Sequence, residues 1–292
     1  MSTTIIIPTC NAAEHLPYLL EKLKSQTIGR CELIIVDSAS EDETVEIALS
    51  HQVAVISIAR SEFDHGATRS LGARQAKGDT LVYLTQDALP YNQYAIENII
   101  KPLKCDRSVG AAFGRQLASP GASVLAEHLR LFNYPDTSRL TTLDDRDTCG
   151  IKTAFLSNSF AAYRKSVLEE IGYFKSGLVF GEDTHAGARI LLKGYKIAYV
   201  AEAMALHSHN YTIGQDFRRY FNMGAFHKAE NWLLKEFGKP EGQAFKYIMS
   251  GIRFLSKRRK LNLFPEFMLR IIAKYVGYKL GKLKEQKGPF FR

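Results

Sequence analysis

The chain has 292 residues, 46% hydrophobic and 24% charged, which excludes a disordered or disulfide-stapled protein and fits one large α/β domain or a domain with an appendage. Its four cysteines, Cys10, Cys31, Cys105 and Cys149, show no CxxC spacing, so neither a zinc knuckle nor a redox pair is indicated and a reducing compartment fits. The net charge of +9 is concentrated: residues 245–292 hold 13 Lys/Arg against 2 Asp/Glu, leaving 26 against 28 in residues 1–244, a pattern that aims the tail at an anionic surface.

The opening MSTTIIIPTC lacks the basic n-region and apolar h-region of a secretory signal, so a cytoplasmic protein is expected. Apolar runs fall far short of the roughly 18 residues that a membrane-spanning helix needs. Attachment to the cytoplasmic face of a membrane stays open. Thr4–Pro8 reads as a strand, and Asn11–Ser25 as a helix with Leu16, Leu19, Leu20 and Leu23 on one face. Strands follow at Glu32–Val36 and Val53–Ala59, separated by an acidic helix start after Asp37-Ser38-Ala39-Ser40. A helix over Ala67–Ala76 and a strand over Thr80–Thr85 continue the alternation. That alternation predicts a Rossmann-type, mainly parallel sheet flanked by helices, with ligands outside the carboxyl ends of the strands.

Residues 107–163 read as mixed strands and loops, with a polar, flexible segment at Ser119–Thr148 as a candidate lid or acceptor loop. Phe180–Asp183 leads into a helix through Lys193, then a strand Tyr195–Val200 and the polar cluster HSHNYT. From residue 216 onward the chain reads as a helical, basic extension, which divides it into a domain over 1–215 and an extension over 216–292.

GxGxxG, HExxH and GxSxG are absent, and Gly172-YFKS-Gly177 is followed by Leu178 where a P-loop needs lysine. What remains is a set of carboxylates at strand ends: Asp37, Asp87 and the pair Glu182-Asp183. Taken singly, each reads as readily as a turn residue or helix cap. Together they suit chemistry on a diphosphate, where one carboxylate holds a hard cation and another accepts a proton from an attacking hydroxyl.

IIIPTCNAAEHLPYLLEKLKSQT, CELIIVDSASEDETVEIA, LTQDALP and GEDTHAGARILLKGYKIAYV, in that order, resemble the family 2 inverting glycosyltransferases of GT-A fold over roughly residues 4–210. FDHGATRSLG followed by LTQDA is most similar to the bacterial rhamnosyltransferase branch. The resemblance implies transfer of a sugar, L-rhamnose from dTDP-L-rhamnose, to a glycan or lipid-linked acceptor in surface polysaccharide synthesis. It implies that Thr9 and Asn11 line the nucleotide pocket, that Asp37 accepts the pyrimidine imide N–H and that Arg69 reaches ribose or phosphate; an Arg69 pairing with Asp64 or Glu62 on the surface is the structural alternative. In place of the family's acidic DxD-like element stands Thr85-Gln86-Asp87. Gln86 would then hydrogen-bond hydroxyls, and Asp87 would be the one protein carboxylate for Mg²⁺ or Mn²⁺. The resemblance further implies that Asp183 is the catalytic base, with Glu182 orienting the acceptor or supporting the loop; an N-terminal cap of the following helix is the structural alternative. His207 is the candidate metal ligand, and His65 matches a donor-side position.

In the tail, Phe264, Met268, Ile271, Tyr275 and Tyr278 recur at helical spacing, with Arg270 and Lys274 off that stripe. Such a segment suits an anionic membrane interface equally with packing on the domain or homo-oligomerisation. Nucleic acid is not an expected partner, since no recognition motif accompanies the charge. The rival reading is a non-catalytic nucleotide-sugar-binding or membrane-scaffold protein of the same fold.

Overall fold

The computed structural model describes residues 2–239 and 242–284. Its centre is one sheet built from β1 (Thr3–Thr9), β2 (Glu32–Asp37), β3 (Ala54–Ser57), β4 (Thr80–Leu84), β5 (Leu89–Pro90), β6 (Val109–Leu117), β7 (Arg139–Thr141), β8 (Phe160–Arg164) and β9 (Lys196–Leu206). The strand order is β3-β2-β1-β4-β8-β6-β9-β5, with β7 also paired to β9.

The first four strands pair in parallel, as the strand-helix alternation predicts. Beyond β4 the sheet turns mixed. β8 runs antiparallel to both β4 and β6, and β6 and β9 are parallel to each other. Side chains that alternate along each strand feed two separate cores. Ile5, Ile7, Ile35, Val82 and Leu84 face the helix Leu16–Lys24 and the helix Ala95–Cys105, whereas Ile6, Ile34, Val36, Leu81 and Tyr83 face the opposite layer. Because both faces are covered, β1 and β4 read as continuous apolar runs rather than as alternating ones.

Ser119–Thr148, expected as a flexible loop, contains the helix Val124–Asn133 and the short strand β7. Ser123 caps that helix by accepting the Ala126 N–H at 3.2 Å, and Leu125, Ala126, His128 and Arg130 turn inward. The polar composition of the segment hides an inward face that carries a histidine and an arginine.

The C-terminal helices divide by what they cover. Phe226 of the helix Ile213–Ala229, with Leu233 and Phe237, belongs to the same core as the sheet. The helix Phe264–Leu283 lies along Ile213–Ala229 at a seam where only glycine fits. A Cβ on Gly224, Gly277 or Gly281 would come within 2.2, 2.5 and 2.0 Å of the carbonyl oxygens of Tyr278, Phe217 and Phe221. Arg270 and Lys274 are not solvent-facing charges there: both turn to the buried Asp216, at 2.8 and 3.6 Å. The stripe singled out from the sequence is therefore split, with Tyr275 exposed while Phe267, Lys274, Gly277 and Gly281 form the packed face. Residues 285–292 of the basic tail lie outside the described residues.

Candidate active site

Every site residue sits at one edge of the sheet. β1, β2, β4, β6 and β9 end there, and the antiparallel β8 begins there. At the β1–β2 end, Asp37 is buried, and its Oδ1 accepts the Thr9 hydroxyl at 2.9 Å while its Oδ2 accepts the Ser40 N–H at 2.9 Å. Asn11 closes the loop: its N–H donates to Ser40 Oγ at 2.8 Å and its Oδ1 accepts the Glu41 N–H at 2.8 Å. Asn11 and Ala39 both adopt positive φ, 50° and 52°, a conformation asparagine tolerates better than most residues. Thr9, Asn11 and Asp37 thus form one rigid unit. Gln86 accepts the Cys10 N–H at 2.9 Å and donates to the Cys10 carbonyl at 3.2 Å, so its amide clamps the ends of β1 and β4 together.

Beyond β4, Asp87 meets two histidines. Its Oδ2 lies 3.5 Å from Nε2 of both His207 and His209, and the two Nε2 atoms are 3.1 Å apart. These three ligand atoms lie within 4.8 Å of one another, close enough to share a metal ion. The protein sets the tautomer. Gln116 Oε1 accepts from Arg130 Nη1 and lies 2.9 Å from His207 Nδ1. An amide oxygen facing two nitrogens can only accept, so His207 Nδ1 carries a proton, and it is Nε2 that faces Asp87, as a donor when the ring is charged and as a lone pair when it is neutral. Burial and the neighbouring His207 push the His209 imidazole down to about 4, leaving it neutral near pH 7. Burial alone would raise the Asp87 carboxyl, but the hydrogen bond and charge of His207, with His209, hold it well below the usual carboxylate range. One carboxylate oxygen and two imidazole nitrogens facing one point fit a divalent cation.

The second carboxylate cluster opens the helix Glu182–Leu192. Gly181 precedes it at φ 82°, and a Cβ there would meet the Phe226 ring at 2.7 Å, so only glycine makes this turn. Arg69 is buried and reaches Glu182 Oε1 at 3.4 Å and the His65 carbonyl at 2.9 Å. It is thus tied to the carboxylate pair at the start of the helix Glu182–Leu192, and neither Asp64 nor Glu62 is its partner. Asp64 instead caps the helix His65–Gln75, accepting the Ala67 N–H at 2.7 Å. Burial pushes the Glu182 carboxyl up, but Arg69, His65 and Asn158 outweigh it and keep Glu182 ionised. Beside it the Asp183 carboxyl is pushed up to about 7, by burial and by the Glu182 charge.

Four residues at this edge have no motif in the sequence. Asn158 donates its side-chain amide to Glu182 Oε1 at 3.2 Å and its main-chain N–H towards Asp183 Oδ2 at 3.4 Å, and accepts the buried Tyr163 hydroxyl at 2.7 Å. Gln116 donates to Ser157 Oγ at 2.8 Å. The chain His207, Gln116, Ser157, Asn158, Asp183 therefore joins the metal-competent end to the raised carboxylate through hydrogen bonds and one peptide link. Arg130, with Gln116, sets the His207 tautomer. Arg219 lies 5.5 Å above the Phe180 ring and 5.6 Å above Tyr211, whose hydroxyl accepts its Nη1–H at 3.2 Å, with no carboxylate partner among the described residues. Tyr211 in turn contacts His209, ring centroids 5.2 Å apart. A residue spacing of 2 between the histidines was the one local signal that could have promoted His209.

Residues 4–172 match the model of "Glycosyl transferase family 2". Over 97% of the chain and 90% of the relative, the sequence is 42% identical to the O-antigen chain rhamnosyltransferase RfbN of Salmonella typhimurium. It is 43% identical to WbaN of Salmonella anatum, named likewise, over 96% of the chain and 89% of the relative. Among solved structures, a mannosyltransferase from Pyrobaculum calidifontis in complex with GDP-Man and Mn²⁺ superposes with a TM-score of 0.68 at 17% identity, covering 98% of this chain and 88% of that one.

Proposed function

Because the chain belongs to glycosyl transferase family 2, we propose that this crevice transfers L-rhamnose from dTDP-L-rhamnose to a glycan or lipid-linked acceptor, with inversion at the anomeric carbon. One observation carries the mechanism: at a single sheet edge, an Asp-His-His group able to hold a cation stands beside a separate carboxylate whose proton affinity is raised to about neutrality. The sugar assignment rests on the two O-antigen rhamnosyltransferases aligned over nearly the whole chain.

Asp37 accepts the thymine N3–H with the acceptor capacity left after Thr9 and Ser40 are satisfied. The loop of Asn11 and the Gln86 clamp fix the backbone around Asp37. Asp87, His207 and His209 would hold a divalent cation, Mn²⁺ in preference to Mg²⁺ because two of the three donors are imidazole nitrogens. Such a cation, when bound, neutralises charge on the diphosphate. Arg219, held on two aromatic rings without a carboxylate partner among the described residues, supplies a further cation for the leaving group.

Asp183 is the base. The acceptor oxygen forms its bond to the anomeric carbon as the carbon–phosphate oxygen bond breaks on the opposite face; dTDP leaves with that electron pair, and the hydroxyl proton passes to Asp183. Glu182, fixed by Arg69 and Asn158, stays ionised and raises the proton affinity of its neighbour. A donor screen tests the reading. Release of dTDP from dTDP-L-rhamnose with a rhamnose-accepting glycan is expected; faster turnover of a UDP- or GDP-sugar overturns the donor assignment.

A further inference from the structure

The helix Phe264–Leu283 packs one face and leaves the other bare. Leu269, Ile272, Val276, Leu280 and Leu283 are all exposed, Leu283 to 73%. Their spacing of 3, 4, 4 and 3 residues places them on one stripe roughly 21 Å long at 1.5 Å per residue. An apolar stripe of that length on a surface helix marks a contact site, because single exposed apolar residues are ordinary and a continuous line of them is not.

Charge indicates what covers it. Within residues 242–284 the single acidic residue is Glu266, and it is engaged by Arg270 at 2.7 Å. Exposed Lys257, Arg259 and Lys260 stand just before the helix. At the other end Lys279 and Lys282 lie over the rings of Tyr275 and Tyr278, at 5.4 and 5.7 Å, which holds their ammonium groups beside the stripe. A second copy packed face to face on this helix would bring these cations against their own kind, with no carboxylate but the engaged Glu266 within residues 242–284 to receive them. A sheet of anionic headgroups over an apolar layer matches both the lysines and the leucines.

We propose that the Leu269–Leu283 stripe docks into the interface of an anionic lipid bilayer, with Lys257, Arg259, Lys260, Lys279 and Lys282 on the headgroups. No helix among the described residues is long and apolar enough to cross a membrane, so this is contact from one side. Docking also orients the crevice. Arg270, on the packed face of the same helix, donates to the Tyr211 carbonyl at 2.6 Å, and Tyr211 contacts His209. The metal-competent end of the crevice is thereby rigidly linked to the docked helix. The surface stands on its own exposure and charge and does not rest on the sugar-transfer reading.

Vesicle flotation of the full chain, without donor or acceptor, tests it. The protein is expected to float with phosphatidylglycerol vesicles and not with phosphatidylcholine vesicles, and to be released as salt rises. The triple variant Leu269→Ser, Ile272→Ser, Val276→Ser should lower partitioning about tenfold or more at an unchanged melting temperature. Lys257→Gln, Arg259→Gln, Lys260→Gln should weaken binding to phosphatidylglycerol and flatten its salt dependence. Three results overturn the proposal: equal flotation with both lipids, wild-type partitioning by the serine variant, or a light-scattering dimer that the serine variant dissociates.

Discussion

Asp87 and Asp183 start alike: both are partly buried carboxylates, and burial alone would raise both. Their neighbours send them in opposite directions. Asp87 faces two imidazoles and is held below the usual carboxylate range, while Asp183 faces an ionised Glu182 and is pushed up to about 7. One carboxylate is thereby kept charged, and the other takes up a proton near neutral pH, the division of labour that the proposed mechanism needs. Divergent proton affinities in one crevice separate the roles of two chemically identical side chains.

Asp183→Asn breaks the proton-accepting half of this contrast outright. Turnover is expected to fall by about a hundredfold or more with nucleotide affinity nearly intact, because an amide keeps the shape and cannot take the proton. Steady-state kinetics beside calorimetric titration of dTDP checks it, and near-normal turnover would remove Asp183 from the mechanism. Asp87→Ala breaks the other half. The gain in dTDP affinity on adding Mn²⁺ should vanish, whereas Asp37→Ala should weaken dTDP binding with and without the metal; calorimetry on both variants separates the two.

Gln116→Leu sharpens the contrast without touching either carboxylate. The His207 tautomer loses its acceptor, and Mn²⁺ affinity should drop roughly 10- to 100-fold, the scale of a lost outer hydrogen bond at a metal site. Titration of free Mn²⁺ by paramagnetic resonance reads this directly, and unchanged affinity would show that the amide does not set the tautomer. The smallest effect expected is on pH dependence. Asp183 must be ionised to act, so turnover should rise with pH and level off above about 7. Glu182→Gln removes the neighbouring charge that raises Asp183, so the rising limb should move to lower pH, by roughly one unit; a limb that stays in place would mean that Glu182 does not tune the base.

The parallel half of the sheet was legible because its signals are local. The apolar runs at Thr4–Pro8, Glu32–Val36 and Thr80–Thr85 match β1, β2 and β4 to within one residue at either end. Asp37 follows such a run directly and Asp87 one residue beyond, and Glu182-Asp183 opens a helix, so strand ends and helix starts were enough to find them. Arg69 was legible as a residue of the site and not as to partner. The sequence shows a basic residue on the donor side, while the structure buries it against Glu182, 113 positions further along the chain. Asn158, Gln116 and Arg130 carried no local signal, since their positions depend on the antiparallel return of β8 and on the inward face of Val124–Asn133.

Acting alone, the sequence determined which segments are strands and which residues can do acid–base or metal chemistry, because hydrophobic period and side-chain type are properties of single segments. The tertiary structure decided which of those residues meet. The sheet reverses direction at β8, so Asn158 starts at the edge where β4, β6 and β9 end and can bridge Glu182 to Asp183. It also decided what Arg270 and Lys274 are for: a helix that spacing makes amphipathic in either of two senses turns its charges inward because Asp216 is buried opposite them. A buried carboxylate requires a partner, and meeting that requirement rotates the helix so that its leucines face outward.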